Sequence, residues 1–238
     1  MNKNHLSIST ISWARNEGEE NLLKKSLQIL AGLHLPVFIT DGGSSQSFLD
    51  FLNSFTNFTI SKAPAKGVWA QAKSSLEAAY QSGSDFVFYT EPDKFDFFHR
   101  LPAILDKVNL APQSGIVMMS RSPSAFSSFP AFQQMTETTI NNCCAEVISD
   151  PVDYTYGPFI VNRKIVPYLI SIKEELDWGW RPYAFSIARR LGYIVEAIEG
   201  DFNCPPDQQS DTPEERLYRM RQLQQNIHGI VLSKTVEL

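Results

Sequence analysis

The sequence predicts an α/β fold with a mostly parallel central sheet flanked by helices, and three observations favour it. Across residues 6–95, short segments typical of buried strands alternate with segments of helical periodicity. Polar clusters follow the strands, as they do in open sheets that bind ligands outside the carboxyl ends of their strands. The 238 residues fit one large domain or two small ones, of which we expect the single domain, and a composition of 43% hydrophobic residues with a net charge of −5 is typical of a globular protein.

The first half of the chain contains four predicted strands and three predicted helices. The strands are Leu6–Trp13, Pro36–Thr40, Thr59–Ser61 and Asp85–Tyr89. A helix over residues 17–32 is indicated by acidic residues in its first turn, leucines on one face and a final glycine. The second helix has aromatic residues at helical spacing over residues 48–55, and the third covers Val68–Gln81.

The second half is less regular. Its predicted strands and helices cover Gly115–Ser120, Ala131–Ile148, Pro182–Leu191, Tyr193–Ile198 and a C-terminal helix that starts after Thr212. The C-terminal helix begins with a capping threonine, then a proline at its first position and a glutamate at its third. We expect it to bury the apolar residues at its helical spacing, Leu217, Met220, Leu223 and Ile227.

Composition and charge exclude several classes of protein. A chain with 21 basic and 26 acidic residues and no long basic run is unsuited to nucleic acid, whose phosphates require clustered lysine and arginine. No transmembrane segment is expected, because no stretch approaches the roughly 20 apolar residues of a membrane span. Three cysteines, two of them adjacent, suggest no disulfide framework, and we expect reduced thiols in a cytoplasmic protein.

Two carboxylates follow the fourth predicted strand directly. Glu91 and Asp93 are separated only by Pro92, so both come at the carboxyl end of a buried strand. Mg²⁺ and Mn²⁺ prefer a few carboxylate ligands, completed by water and substrate phosphates. The pair therefore indicates a divalent metal site, and a solvent-exposed turn is the alternative interpretation.

Polar segments follow three of the predicted strands, and their combination is more informative than any one of them. They are Arg15–Glu17, Asp41–Gly43 and Glu91–Asp93. In a parallel sheet all three segments lie at the carboxyl edge, where ligands bind in open α/β folds. The sequence therefore predicts one binding site at that edge.

The order of these motifs resembles that of family 2-type glycosyltransferases of the GT-A fold, which is built on a Rossmann-type sheet. The motifs that carry the resemblance are Ala14-Arg15-Asn16-Glu17, Ile39-Thr40-Asp41-Gly42-Gly43-Ser44-Ser45, Lys66-Gly67 and the strand that ends in an acidic pair. The match is good over residues 6–95 and loose elsewhere. It implies a transferase that uses a nucleoside-diphosphate sugar and Mn²⁺ or Mg²⁺, with residues 1–95 binding the donor and residues 96–238 the acceptor.

By this resemblance, several residues are expected to bind the nucleotide. Asp41 would contact the nucleobase, and Arg15 and Glu17 would lie near the nucleoside. Lys66, which precedes the third helix, is expected in the same site.

The same resemblance places Glu91 and Asp93 where the family has its Asp-X-Asp metal motif. Asp93 is the expected direct ligand of the metal. Glu91 departs from the family's aspartate, and its longer side chain would reach a ribose hydroxyl of the nucleotide or a metal-bound water.

The second half departs from the family's pattern at the catalytic base. Inverting members carry the base about eleven residues before the glycine of a short helix–Gly–Tyr sequence, and here that position is Arg181. Asp177 lies four residues earlier, and we predict it as the base if the enzyme inverts. Glu175 and Asp153 are the alternatives.

The segment around the predicted base contains two tryptophans and an arginine. In a loop, Trp178 and Trp180 would offer flat apolar surfaces to the C–H faces of a sugar. Arg181 would bind a carboxylate or phosphate of the donor or acceptor through two hydrogen bonds. The alternative is that these side chains fill the space between helix and sheet.

Two other functions are compatible with the sequence. One is a non-catalytic protein of the same fold that binds a nucleotide sugar or a partner, which Glu91 and the displaced base would favour. The other is a sugar-nucleotidyltransferase, although those enzymes have a glycine-rich loop after the first strand and residues 13–18 contain one glycine. The sequence leaves the acceptor unknown.

Overall fold

The computed structural model describes residues 5–238, apart from the side chain of Asp207. Within this range the strands are β1 (Leu6–Ser12), β2 (Val37–Asp41), β3 (Phe58–Lys62), β4 (Phe86–Thr90), β5 (Ser114–Arg121), β6 (Phe159–Asn162) and β7 (Ile194–Gly200). The seven strands form a sheet in the order β3-β2-β1-β4-β6-β5-β7. Strand β1 is parallel to β2 and β4, β2 is parallel to β3, and β5 is parallel to β7.

The helices of the described range are α1 (Glu17–Ala31), α2 (Gln46–Asn53), α3 (Val68–Gln81), α4 (Phe95–Lys107), α5 (Pro123–Phe126), α6 (Ala131–Ile148), α7 (Val166–Ile170), α8 (Trp180–Arg190) and α9 (Pro213–Thr235). Short 3-10 turns cover Asp177–Gly179 and Pro206–Gln208. Over residues 5–238, none of the helices combines the length and the apolar character needed to cross a membrane. The predicted α/β fold with a mostly parallel sheet is confirmed.

Two compact units are distinguished by their internal contacts. The first comprises Met1–Pro112 and Ile160–Glu175, and the second comprises Gln113–Phe159 and Leu176–Leu238. The first unit contains the residues predicted to bind the nucleotide and the metal. The second contains the predicted base, Asp177, and the residues that follow it.

The first unit is organised around strand β1, whose residues are all buried. The Ser9 and Ser75 hydroxyl oxygens lie 2.8 Å apart, which ties β1 to α3. Helix α1 begins where the Asn16 side chain accepts a hydrogen bond from the Glu19 amide at 2.9 Å. This cap fixes the start of α1 close behind the carboxyl end of β1, where the first polar segment lies.

In the second unit, helix α9 meets the turn before α8 through two glycines. A Cβ atom at Gly229 would lie 1.9 Å from the carbonyl oxygen of Gly179. A Cβ atom at Gly179 would lie 2.1 Å from the carbonyl oxygen of Gln225. Neither position has room for a side chain, so the backbones of α9 and of residues 177–179 are in direct contact.

The predicted buried face of α9 is wrong for its first half. Leu217 and Met220 are each 49% exposed, whereas Leu223 and Ile227 are half-buried. The buried residues of α9 are Asn226, Gly229, Ile230 and Ser233. The helix packs against α6 and α8, and three of these four buried residues are small or polar, so apolar spacing does not mark its contact face.

Candidate functional site

The carboxyl ends of β1, β2 and β4 lie side by side in the first unit. Ser12 pairs with Asp41 between β1 and β2, and Thr10 pairs with Thr90 between β1 and β4. Because these strands are parallel, the segments that follow them leave the sheet at one edge. The three polar segments therefore start at the same edge of the sheet, and the single binding site predicted there stays a prediction.

Asp41 holds the turn that follows β2. Its Oδ1 accepts hydrogen bonds from the Gly43 and Ser44 amides, both at 2.8 Å. Its Oδ2 accepts from the Ser12 hydroxyl at 2.8 Å and from the Ser44 hydroxyl at 2.6 Å. The residue is 3% exposed and its four hydrogen bonds are internal, so it shapes the turn. Its expected contact with a nucleobase stays a prediction.

Trp13 and Gln71 flank this turn, and neither was predicted from the sequence as a site residue. Trp13 is 50% exposed directly after β1. A Cβ atom at Gly42 would lie 3.1 Å from the Trp13 Cβ and from both terminal atoms of the Gln71 side chain. Gln71 is buried in α3, and its Oε1 has no hydrogen-bond partner among the described residues. An aromatic residue directly after a strand is the signal that would have identified Trp13.

Arg15 lies beside Trp13, with its Cζ 5.7 Å from the centre of the indole ring. Its guanidinium forms an ion pair with Glu19 at 2.7 Å, and this hydrogen bonding lowers the pKa of the Glu19 carboxyl. Glu17, the first residue of α1, is exposed. Lys66 is also exposed. It precedes Gly67, which has a φ of +114° and lies directly before the first residue of α3. Three of the predicted nucleotide residues are thus at the surface of the first unit.

Glu91 and Asp93 lie between the end of β4 and the start of α4. Glu91 is buried, and Asp93 is partly exposed. The carbonyl oxygen of Asp93 accepts a hydrogen bond from the Phe95 amide at 2.9 Å, where α4 begins. Within residues 5–238, no three His, Cys, Asp or Glu side chains are grouped to hold a metal. Two carboxylates fit Mg²⁺ or Mn²⁺, which take further ligands from water and phosphate.

In the second unit, Asp177 and Trp178 are attached to α9 by hydrogen bonds. Asp177 has a positive φ of +43°, and its Oδ2 accepts from the Gln225 side chain at 2.8 Å. The Trp178 indole donates to the Tyr218 hydroxyl at 3.0 Å. These contacts hold the predicted base and its neighbour against one face of the C-terminal helix.

The prediction that residues 178–181 form a loop is wrong, because Trp180 is the first residue of α8. Trp180 has no exposed surface, and its ring centre lies 5.5 Å from that of Phe159. It is a core residue of the second unit, as the alternative interpretation anticipated. Arg181 is also buried, and its Cζ lies 4.9 Å from the centre of the Trp178 ring.

The second unit also contains a buried ionic cluster that is not predicted from the sequence. The guanidinium of Arg121 forms ion pairs with Glu137 and Asp153, each at 2.6 Å. It also donates to the Thr155 hydroxyl at 2.8 Å and lies 4.4 Å from the Phe129 ring centre. These partners surround the side chain of Arg121, which is 1% exposed.

The contacts of Asp153 within this cluster argue against it as the alternative catalytic base. Burial raises the pKa of this carboxyl, but the ion pair with Arg121 and hydrogen bonds from Thr155 outweigh it and lower the pKa to about 2. Asn141 donates another hydrogen bond at 3.1 Å. A carboxylate held in this way accepts a substrate proton poorly. In the structure Asp153 joins the segment after α6 to Arg121 of β5.

Comparison with known proteins identifies the fold. No protein family profile and no curated protein matches the sequence. A structure of glucosyl-3-phosphoglycerate synthase from Mycobacterium tuberculosis with UDP matches with a TM-score of 0.67 and 13% identity, covering 98% of this chain and 81% of that chain. Its complex with Mn²⁺, UDP-glucose and phosphoglyceric acid matches with a TM-score of 0.65, the same identity and the same coverage. The predicted GT-A-like fold is confirmed.

Proposed function

We propose that the chain is a metal-dependent glycosyltransferase with family 2-like motifs, which moves a sugar from a nucleoside-diphosphate sugar to an acceptor. The observation that carries this proposal is the shared edge of the first unit. There Glu91 and Asp93 follow β4 and the Asp41 turn follows β2, the two strands that flank β1 and run parallel to it. The fold adds support, because the matching synthase structures were determined with UDP, UDP-glucose and Mn²⁺ or Mg²⁺.

The nucleotide would bind beside the Asp41 turn. The exposed face of Trp13 is suited to stacking on a nucleobase, an interaction worth about 1–3 kcal/mol per base in proteins that bind single strands. Asp41 acts here as a positioning residue, because its four hydrogen bonds set the shape of the turn. Arg15 beside Trp13 and the exposed Lys66 supply positive charge to the nucleotide, and Glu17 would lie near its ribose.

The metal would be held by Asp93, with Glu91 as the second carboxylate. When bound, a divalent ion neutralises the charge that develops on the departing nucleoside diphosphate. Asp93 is partly exposed and is therefore accessible to an ion that also contacts the donor. Glu91 is buried, so its carboxylate is held in one place.

In an inverting reaction, Asp177 of the second unit would take the proton of the acceptor hydroxyl. The hydrogen bond from Gln225 orients its carboxylate, as a general base requires. Trp178 and Arg181 adjoin it and would contact the acceptor. Trp180 is left out of this site because it is fully buried.

The proposal is tested by thermal unfolding with a panel of nucleoside diphosphates, with and without Mn²⁺. A ligand at 100 times its dissociation constant adds about 2.7 kcal/mol, which raises the melting temperature by roughly 5–10 °C at this chain length. The rival function, donor binding without turnover, is separated by donor hydrolysis in the presence of Mn²⁺. A transferase releases the nucleoside diphosphate slowly even without an acceptor. If no nucleotide changes the melting temperature, both functions are refuted.

Asp93→Asn is expected to weaken Mn²⁺-dependent nucleotide binding by at least roughly tenfold. The amide keeps the shape of the carboxylate but removes its charge, so the fold survives while metal affinity falls. Isothermal titration calorimetry with UDP and Mn²⁺ measures the change. Asp96→Asn is the matched control, since Asp96 is an exposed carboxylate in the first turn of α4. Parent-like binding by Asp93→Asn would remove Asp93 from the metal site.

Trp13→Ala is expected to weaken nucleotide binding by roughly tenfold or more, because the stacking surface is lost. Trp13→Phe keeps an aromatic face and should retain most of the affinity. Titration of both variants with the nucleotide that gives the largest thermal shift provides the comparison. Equal affinities of Trp13→Ala and the parent would show that the nucleobase lies elsewhere.

A further inference from the structure

Helix α9 has an outer face, opposite the residues that it buries, on which apolar side chains are exposed. This outer face is formed by residues that recur every three or four positions along the helix, Leu217, Met220, Gln224, Ile227 and Val231. Leu217 and Met220 are each 49% exposed, and Val231 is 57% exposed. Ile227 is half-buried. A row of apolar side chains therefore stays uncovered along about 21 Å of helix.

The charges of α9 are separated along the helix. Its two acids, Glu214 and Glu215, lie in the first turn, and residues 216–235 contain four arginine or lysine residues and no acid. Two of the four are paired with acids. The other two, Arg221 and Lys234, are exposed and form no ion pair with any described residue. The helical repeat places them on either side of the outer face, so unpaired positive charge borders the apolar row.

An anionic surface complements this pattern better than a second copy of the chain does. In a pair of copies related by a two-fold axis the outer face would meet itself, and positive residues would border the contact from both sides. A lipid surface can cover the whole row, because a helix of this kind lies in the plane of the headgroups with its apolar side chains inserted roughly 5–10 Å. The long side chains of Arg221 and Lys234 can then reach lipid phosphates while their methylene groups stay on the apolar row.

We propose that the outer face of α9 docks the protein onto the surface of an anionic phospholipid membrane. The helix lies parallel to that surface, with the apolar row inserted and the two unpaired cations at the phosphates. Asp177 is hydrogen-bonded to Gln225 of the same helix, so the predicted base lies within about 10 Å, one helix diameter, of the headgroup layer. Docking needs neither nucleotide nor metal and is separate from the proposed transfer reaction.

Co-sedimentation of the full-length protein with vesicles tests this docking. We expect binding to vesicles of phosphatidylcholine and phosphatidylglycerol in equal parts, weaker binding at high salt, and little binding to phosphatidylcholine alone. The triple variant Leu217→Gln, Met220→Gln and Val231→Gln should bind at least roughly tenfold more weakly at unchanged net charge. Ile194→Gln with Tyr168→Gln is the control, since both residues are exposed outside α9, and it should bind as the parent does.

A second pair of variants tests the charges. Arg221→Gln with Lys234→Gln should weaken binding to the anionic vesicles by roughly 30-fold, since each cation near such a surface contributes about 1 kcal/mol. The matched control is Lys25→Gln with Lys107→Gln, which changes the net charge equally at exposed lysines of α1 and α4. An equal loss in both double variants would reveal a general charge attraction and overturn the docking face.

Two further outcomes would also overturn it. One is a parent protein that does not bind the anionic vesicles. The other is a parent that sediments as a dimer without vesicles and becomes a monomer in the triple variant, because the outer face would then pair two copies. UDP binding without vesicle binding contradicts only the docking, and vesicle binding without UDP binding contradicts only the transferase.

Discussion

Replacing Arg121 by alanine is expected to lower the free energy of unfolding by about 3–5 kcal/mol. The guanidinium is 1% exposed and pairs with Glu137 and Asp153 at 2.6 Å. Alanine would leave two buried carboxylates without their positive partner and would also remove the packing against Phe126 and Phe129. Such a loss is a large part of the 5–15 kcal/mol that stabilises a typical domain.

Urea unfolding followed by circular dichroism measures this change. Arg216→Ala is the matched control, since that arginine forms an exposed ion pair with Asp211 and its loss should leave the midpoint nearly unchanged. A triple variant, Arg121→Met with Glu137→Gln and Asp153→Asn, should recover part of the stability because no buried charge is left uncompensated. A midpoint of Arg121→Ala equal to that of the parent would show that the cluster contributes little.

The cluster also gives stability a defined dependence on pH. The pKa of Asp153 is lowered from 3.8 to about 2 in the folded chain, so its contribution is fully present above pH 4. That contribution is lost as pH falls from about 4 towards 2, where the folded carboxyl takes up its proton. The unfolding free energy of the parent should therefore fall more steeply across this window than that of the Asp153→Asn variant.

Asp177→Asn is expected to reduce turnover by roughly 10²–10⁴-fold while the donor binds as before. The amide oxygen can still accept the hydrogen bond from Gln225, so the turn keeps its conformation. What the amide lacks is the ability to take a proton from the acceptor or from water. The loss should therefore appear in the rate constant and leave the dissociation constant of the nucleotide unchanged.

Release of the nucleoside diphosphate in the presence of Mn²⁺ measures this effect, with the donor chosen from the thermal unfolding panel. Asp211→Asn is the control, because Asp211 is an exposed carboxylate of the same unit. Unchanged turnover by Asp177→Asn would mean that the base is elsewhere, or that the reaction retains configuration and needs none. Loss of donor binding would instead show that Asp177 belongs to the nucleotide site.

Much of the fold could be predicted from the sequence where local signals mark both ends of an element. Helices Val68–Gln81 and Ala131–Ile148 have the predicted bounds, since Gly67 and Pro130 mark their starts. Strand β6 was missed because four buried residues show no alternation. Helix α4 was missed as well, and Pro102 in its interior is a residue that normally argues against a helix.

For the candidate site, too, local sequence signals were sufficient in the first unit and insufficient in the second. The polar segments of the first unit follow strands directly, so chain order and the rules for parallel sheets were enough to bring Asp41 and Asp93 to one edge. In the second unit the decisive contacts join distant residues. Trp178 meets Tyr218 40 positions along the chain, and Arg121 meets Asp153 after 32. No local pattern reports such pairs.

The contact between Gly179 and Gly229 limits how this protein can be re-engineered. Any side chain at either position would collide with backbone, so a library randomised over residues 225–229 should consist mostly of chains that do not fold. Residues 215–222 of α9 lie two turns away and carry exposed side chains such as Leu217 and Met220. New ligand preferences are therefore to be selected in that first stretch of the helix, with the two glycines left unchanged.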